Sequence, residues 1–333
     1  MYNVSVIIPV YNSEKFLEDT ILSVVNQTIG FENIELLLVD DSSTDSSREI
    51  INKFSKQYDN IKSIFLDENH GCPGPARNIG IAKATSEYIM FLDNDDQYEK
   101  HLCEKLYETI KKTNSDIVDC RFNQIDNISS KSSPKLYDEE IKIVTENIGY
   151  YENIYIWTKI YKKSIIINNN ILFISQGVNE DALFCTEYFM NAKKLVSLTD
   201  YVGYDHFIHG ENLSTVTFEY TMNILKSYYN VLKLLEEHHY DTNKFINTRT
   251  AFTIERTIVM KECSLKLIKE VLDELYQFEK SANPDNIHLE NPIFNTINKL
   301  ILNKNTSSAS RIIYLLNKVS RNKFLRKIYR EYD

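Results

Sequence analysis

The sequence predicts an α/β chain in which a Rossmann-like, doubly wound, mainly parallel sheet occupies residues 1–215 and a helical appendage occupies residues 216–333. Three observations carry this reading. Short β-branched runs alternate with helix-periodic stretches through the first hundred residues, acidic residues cluster where two of those runs end, and strand signals nearly vanish beyond Tyr220.

Taken in order, Val4–Val10 and residues 34–39 are apolar runs bounded by polar turn residues, the pattern of buried parallel strands. Between them, Ser13 is the expected cap of a helix whose Phe16, Leu17, Thr20, Ile21, Val24 and Val25 recur at helical spacing. Asp41-Ser42-Ser43-Thr44-Asp45 offers several N-cap residues before a second helix over 46–57. Further strands fit residues 61–66 and 88–92, the latter ending in Asp93-Asn94-Asp95-Asp96. Sheets of this kind bind ligands beyond the carboxyl ends of their strands, which is where Asp40, Asp41 and the 93–96 cluster fall.

From Ile110 to Ile156 the pattern loosens, and Asn, Ser and Lys crowd residues 123–135, so an extended, partly mobile excursion is expected there. Glu180 and Asp181 open an amphipathic helix as acidic first-turn residues. Past Tyr220, apolar positions such as Ile224, Tyr228, Val231, Leu232 and Leu235 continue at helical spacing, with a break expected at Asn283-Pro284.

Composition narrows the function. With 333 residues, 43% hydrophobic and 26% charged, the chain has the makeup of a two-domain globular protein. A net charge of -9 argues against nucleic acid as a partner, since that binding rests on Lys and Arg neutralising phosphates. No apolar run approaches the ~20 residues needed to span a bilayer, and strand-like residues follow Met1 almost at once, so a cytoplasmic location is expected. The five cysteines are odd in number and widely separated, which fits a reducing compartment rather than a disulfide framework or zinc site.

Asp93 and Asp95 are the strongest chemical signal. Two carboxylates one residue apart can share a hard cation, Mn²⁺ or Mg²⁺, that also grips a diphosphate; the alternative is an Asp-rich turn with solvated charges. Arg77, at a helix start after Gly74-Pro75-Ala76, can present a fixed guanidinium to a nucleotide or its phosphates, or pair with a nearby acid. Gly71-Cys72-Pro73-Gly74 lacks both Gly-x-Gly-x-x-Gly and a Gly-Lys-Ser/Thr ending, which disfavours a dinucleotide-binding or nucleoside-triphosphatase reading. Tyr11 offers a flat ring for base stacking, or is simply a rim aromatic.

In their order and spacing, Val4-Ser5-Val6-Ile7-Ile8-Pro9-Val10-Tyr11-Asn12, Val39-Asp40-Asp41-Ser42-Ser43-Thr44-Asp45, Gly71 to Gly80 and Phe91-Leu92-Asp93-Asn94-Asp95-Asp96 resemble glycosyltransferase family 2, the inverting transferases of the GT-A fold. The likeness covers roughly residues 1–215 and extends through Trp157-Thr158-Lys159-Ile160-Tyr161 to Glu180-Asp181. It implies that Pro9 and Tyr11 line the nucleobase pocket, that Asp41 hydrogen-bonds a uracil, and that Arg77, Asp93 and Asn94 contact the donor. It further implies that Asp93 and Asp95 hold the metal and that Asp181 is the catalytic base, with Glu180 as the alternative base; His209, which would close over the donor, and Asn78 are second-choice site residues. A narrower similarity to transferases that decorate wall teichoic acid and capsular polymers implies transfer of a hexosyl or N-acetylhexosaminyl group from a UDP-sugar. The acceptor so implied is a hydroxyl of a cell-surface glycan or polyol-phosphate polymer. A non-catalytic nucleotide- or glycan-binding scaffold of the same fold is the competing reading. A nucleotidyltransferase is a third, and it normally brings a Gly-rich, Lys/Arg-bearing loop where this chain has Tyr11-Asn12-Ser13-Glu14.

Near the chain end Lys318, Arg321, Lys323, Arg326, Lys327 and Arg330 interleave with Val319, Phe324, Leu325, Ile328 and Tyr329. Such a basic amphipathic helix either docks peripherally on the inner face of the cell membrane or on a polyanionic acceptor, or packs on its own domain or a second copy in a homo-oligomer.

Overall fold

The computed structural model describes residues 1–126, 129–146, 148, 153–174, 180–209, 217–281 and 287–321. These form two compact units, one within residues 1–209 and one over 217–321. The domain boundary expected after residue 215, the break at Asn283-Pro284 and the basic residues Lys323, Arg326, Lys327 and Arg330 lie outside the described residues.

In chain order the first unit contains β1 (Val4–Val10), α1 (Leu17–Val25), β2 (Ile34–Asp40), α2 (Ser47–Gln57), β3 (Ile61–Phe65), α3 (Gly74–Lys83) and β4 (Tyr88–Phe91). It continues with β5 (Gln97–Tyr98), α4 (Leu102–Thr113), β6 (Ile117–Ile125), β7 (Ser130–Ser132), β8 (Ile141–Val144), β9 (Lys159–Lys162), α5 (Lys163–Asn168), α6 (Glu180–Asn191) and β10 (Leu195–Phe207). The strand order is β3-β2-β1-β4-β9-β6-β10-β5, with β7 on β6 and β8 on β10. The β1, β2, β3 and β4 neighbours run parallel, as do β6 and β10, whereas β9 is antiparallel to both β4 and β6.

Every residue of β1 and β2 is buried, as runs covered on both faces should be. The close fit of α3 on β1 is set at Gly80, where an added Cβ would lie 2.4 Å from Ile7 Cγ2. Between β4 and β5 in the sheet stand β9, β6 and β10, about 19 Å of flat sheet. The six-residue step from Phe91 to Gln97 reaches at most about 20 Å when extended. Because Asp96 N–H bonds back to the Asp93 carbonyl at 3.2 Å, that step is folded, so the sheet must curl to bring its two ends together.

Two expectations need correction. The loose stretch after Ile110 contains β6, which pairs along its length with β10, and β7 closes a hairpin on its end, so residues 117–125 are central sheet rather than an excursion. The polar half of β6 faces a partly open environment and hid the strand pattern. Ser13 does not cap α1 with its side chain: the buried Oγ has no partner, and the Ser13 carbonyl instead accepts from Phe16 and Leu17 N–H. At α2, Asp45 Oδ1 accepts the Ser47 N–H at 2.9 Å.

The second unit consists of α7 (Phe218–Glu237), α8 (Asn243–Val259), α9 (Leu265–Ser281), α10 (Pro292–Leu302) and α11 (Thr306–Arg321). Thr217 and Asn291 cap α7 and α10 with their side chains. Leu225, Ile254, Leu272, Leu275, Ile297 and Ile313 are among its core residues. Inside this core lies Glu279, which accepts from Thr250 Oγ1 at 3.1 Å and, with the amide oriented by its bonding, from Asn298 at 2.6 Å. Burial raises its carboxyl to about 8. Among the described residues no helix is long and apolar enough to cross a membrane.

Candidate active site

The carboxyl end of β4, the first turns of α3 and the start of α6 bring Asp93, Glu180 and Asp181 together on Arg77. Its side chain is only 4% exposed. Nη1 donates to Glu180 Oε1 and Asp181 Oδ1, both at 2.9 Å, and Nη2 donates to Asp93 Oδ1 at 2.8 Å. Burial alone would lower the Arg77 pKa, but Asp181, Asp93 and Glu180 together hold it above its ordinary value. Phe173 lies beneath the guanidinium at 5.3 Å.

The two acids opening α6 are both shifted. Burial pushes Glu180 up to about 7 and Asp181 up to about 6, in each case against the lowering effect of Arg77. Gly74 allows the start of α3 to approach, since an added Cβ would lie 2.8 Å from the Ile174 carbonyl oxygen and 3.5 Å from Glu180 Cδ. A carboxylate in this setting is poised to take up a proton near neutral pH.

The acidic turn after β4 has a different set of partners. Asp95 Oδ2 lies 2.9 Å from His209 Nε2, and the His209 ring stacks on Phe16 with centroids 4.4 Å apart. Burial, then Asp96 and Asp93, raise Asp95 to about 6. Asp96 is buried and accepts from Tyr204 Oη at 2.7 Å, His206 Nδ1 at 3.0 Å and Phe207 N–H at 2.8 Å. Burial would lower the His206 pKa, but the Asp96 carboxylate outweighs it and raises it.

Asp93 and Asp95 suit a hard divalent cation in donor type: both are oxygen ligands, partly exposed, and crowded by like charge that a cation would relieve. Among the described residues no group of three or more His, Cys, Asp and Glu side chains is arranged to hold a metal ion by itself. Asp93 and Asp95 are the residues that would hold such an ion.

The remaining sequence candidates are spread around this centre. Pro9 is buried in β1, paired with Val39. Tyr11, just beyond β1, is 45% exposed, and its carbonyl faces Asn94 Nδ2 at 3.5 Å. Asp41 is engaged by His70, whose N–H donates to Oδ2 at 2.9 Å and whose Nδ1 lies 2.6 Å from Oδ1. That bond raises the His70 pKa. Asn78 clasps the Phe173 backbone in both directions, at 2.8 and 2.9 Å, and so braces the ring under Arg77. Sequence reasoning singled out neither His70 nor Phe16 nor Tyr204 for the site; each lies far in sequence from its partner there, Asp41, His209 and Asp96 respectively, and no local spacing announces it.

A family model described as Glycosyl transferase family 2 matches residues 5–172. The chain is 34% identical over 206 residues to a poly(ribitol-phosphate) beta-glucosyltransferase of Bacillus spizizenii, a span of 60% of this chain and 32% of the relative. It is also 34% identical over 210 residues to the poly(ribitol-phosphate) beta-N-acetylglucosaminyltransferase TarP of Staphylococcus aureus, 61% of this chain and 62% of that one. The chain thus spans from about a third to just under two thirds of the length of these curated relatives. Among solved structures, S. aureus TarS residues 1–349 in complex with UDP-GlcNAc superpose with a TM-score of 0.74 at 24% identity, covering 97% of this chain and 93% of that chain. The GT-A architecture is shared, and since the family match takes in β1, the Asp41 strand end, Arg77 and the acidic turn, the chain belongs to glycosyltransferase family 2.

Proposed function

We propose that the protein is a metal-dependent inverting glycosyltransferase that moves a hexosyl or N-acetylhexosaminyl group from a UDP-sugar to a hydroxyl of a polyol-phosphate polymer or related cell-surface glycan. The observation that carries this is the buried Arg77, which ties the acid turn at Asp93 to the Glu180-Asp181 pair in one cluster. That cluster supports a reading in which leaving-group and acceptor chemistry share one place.

In this reading Asp93 and Asp95 hold Mn²⁺ or Mg²⁺, which when bound offsets the charge developing on the departing diphosphate. Tyr11 and Pro9 border the base, Asp41 reads the uracil beside His70, and Asn94 contributes to the donor side. Asp181 takes the proton of the acceptor hydroxyl as its oxygen bonds to the anomeric carbon, and the bond from that carbon to the diphosphate oxygen breaks on the opposite face. Arg77 keeps Asp181 and Asp93 oriented, and its positive charge favours the ionised form of Asp181. The UDP-GlcNAc bound to TarS and the poly(ribitol phosphate) acceptor of the two relatives support the choice of donor and polymer. The five free thiols fit the reducing cytoplasm where nucleotide sugars are made.

The test is calorimetric binding and slow hydrolysis of UDP-glucose, UDP-GlcNAc, UDP-GalNAc and GDP-mannose with Mn²⁺. Transfer to poly(ribitol phosphate) or poly(glycerol phosphate) follows, with the anomeric configuration of the product read by NMR. Binding and turnover restricted to UDP-sugars, with inversion, is expected; preference for GDP-mannose or a retained configuration would refute the reading.

A further inference from the structure

Tyr204 touches the acidic turn at both of its ends. It is completely buried in β10, just past two register shifts against β6 between Leu198 and Tyr204, the kind of irregularity that re-aims a side chain. Its hydroxyl accepts the Asp93 backbone N–H at 3.3 Å and donates to Asp96 Oδ2 at 2.7 Å. One oxygen atom thus spans the first and last residues of the turn that carries Asp93 and Asp95. The ring cannot swing away, because Trp157 stacks on it at 4.1 Å and Tyr98 meets it edge-on at 5.9 Å. Trp157 is set in turn by the fully buried Lys159, whose Nζ donates to the Tyr155 carbonyl and to Thr158 Oγ1 at 2.5 and 3.0 Å. These contacts give a role to the Trp157-Thr158-Lys159 motif, which no step of the reaction uses.

We propose that Tyr204 is a positioning residue that holds Asp93 and Asp95 in the geometry needed to bind the metal–diphosphate unit, with Trp157 as its backing. The inference rests on the reading of those two aspartates as metal ligands. Without the Tyr204 hydroxyl the turn would still be held by its side chains, Asp96 through His206 and Phe207, Asp93 through Arg77 and Asp95 through His209, but the Asp93 backbone N–H would lose the bond that ties it to Asp96. Tyr204 acts on the ligands without touching the substrate, and groups that orient metal ligands typically change metal affinity by about 10–100-fold when removed.

The experiment compares wild type, Tyr204→Phe and Tyr98→Phe by calorimetric titration with UDP, with and without Mn²⁺, alongside thermal melts. Tyr98→Phe is the matched control, since it also loses a buried phenol hydroxyl, bonded at 2.6 Å to the Phe91 carbonyl outside the turn. The expected result is that Mn²⁺ tightens UDP binding to wild type and to Tyr98→Phe. In Tyr204→Phe that Mn²⁺-dependent gain should fall about 10-fold or more while metal-free UDP binding and a cooperative melt persist. A full Mn²⁺ gain in Tyr204→Phe, equal losses in both variants, or equal loss of metal-free binding would each overturn the inference. Absence of any Mn²⁺ effect in wild type would instead overturn the metal assignment of Asp93 and Asp95, and the role of Tyr204 with it.

Discussion

Replacing Arg77 with methionine removes the cation shared by Asp93, Glu180 and Asp181 while leaving a side chain of similar length over Phe173. Taking one partner out of a buried ion pair costs ~3–5 kcal/mol, because the remaining charges stay buried and unpaired. Two of the three acids can relieve this by binding protons, being already raised to about 7 and about 6 beside the arginine. Without it their folded pKa values rise further, each additional unit being worth ~1.4 kcal/mol. A carboxyl whose folded pKa lies above its unfolded value is stabilising at low pH, and that contribution is lost as pH rises through the folded pKa. The deficit of Arg77→Met should therefore be largest near pH 8 and shrink to about half or less near pH 5, where Glu180 and Asp181 are protonated. Urea unfolding followed by Trp157 fluorescence measures it cleanly, since Trp157 is the one tryptophan of the chain and is buried in the first unit. A deficit below about 1 kcal/mol at pH 8, or one independent of pH, would refute this account and return Arg77 to a solvated, ligand-facing role.

Asp181→Asn should lower kcat by roughly 10²–10⁴-fold with UDP binding retained, and wild-type kcat should fall as pH drops through about 6, since the base must be ionised. Calorimetry showing lost UDP binding instead would exchange the roles of Asp181 and Glu180. Asp93→Asn and Asp95→Asn should each abolish most transfer and most of the Mn²⁺ response, an effect that EDTA reproduces in wild type; full turnover in thoroughly chelated enzyme counts against it. Glu279→Gln should stabilise the helical unit by roughly 3–4 kcal/mol near pH 8 and hardly at pH 4.5, because only the glutamate must stay protonated, up to about 8, to remain in the core. Equal melting temperatures of the two proteins at pH 8 would show that the carboxyl is ionised where it lies.

Much of the first unit was legible because its signals are local. The runs at β1 and β2 are buried on both faces and so are apolar throughout, and Asp93, Asp95, Glu180 and Asp181 sit at element ends where chain direction alone exposes them. The helical second unit was legible for the same reason, since a 3.6-residue period can be read one turn at a time. The strand β6 was missed because only its first half is fully covered, so residues 121–125 read as loop. What the sequence determined alone was the class of fold, the helical tail and the acids available for chemistry. Which acid meets which partner was decided by the curled sheet, which brings Arg77 to residues 103 and 104 positions away and Tyr204 to a turn 111 positions away. Such pairings depend on how strands order and bend in space, and a linear pattern of residues carries no record of that geometry.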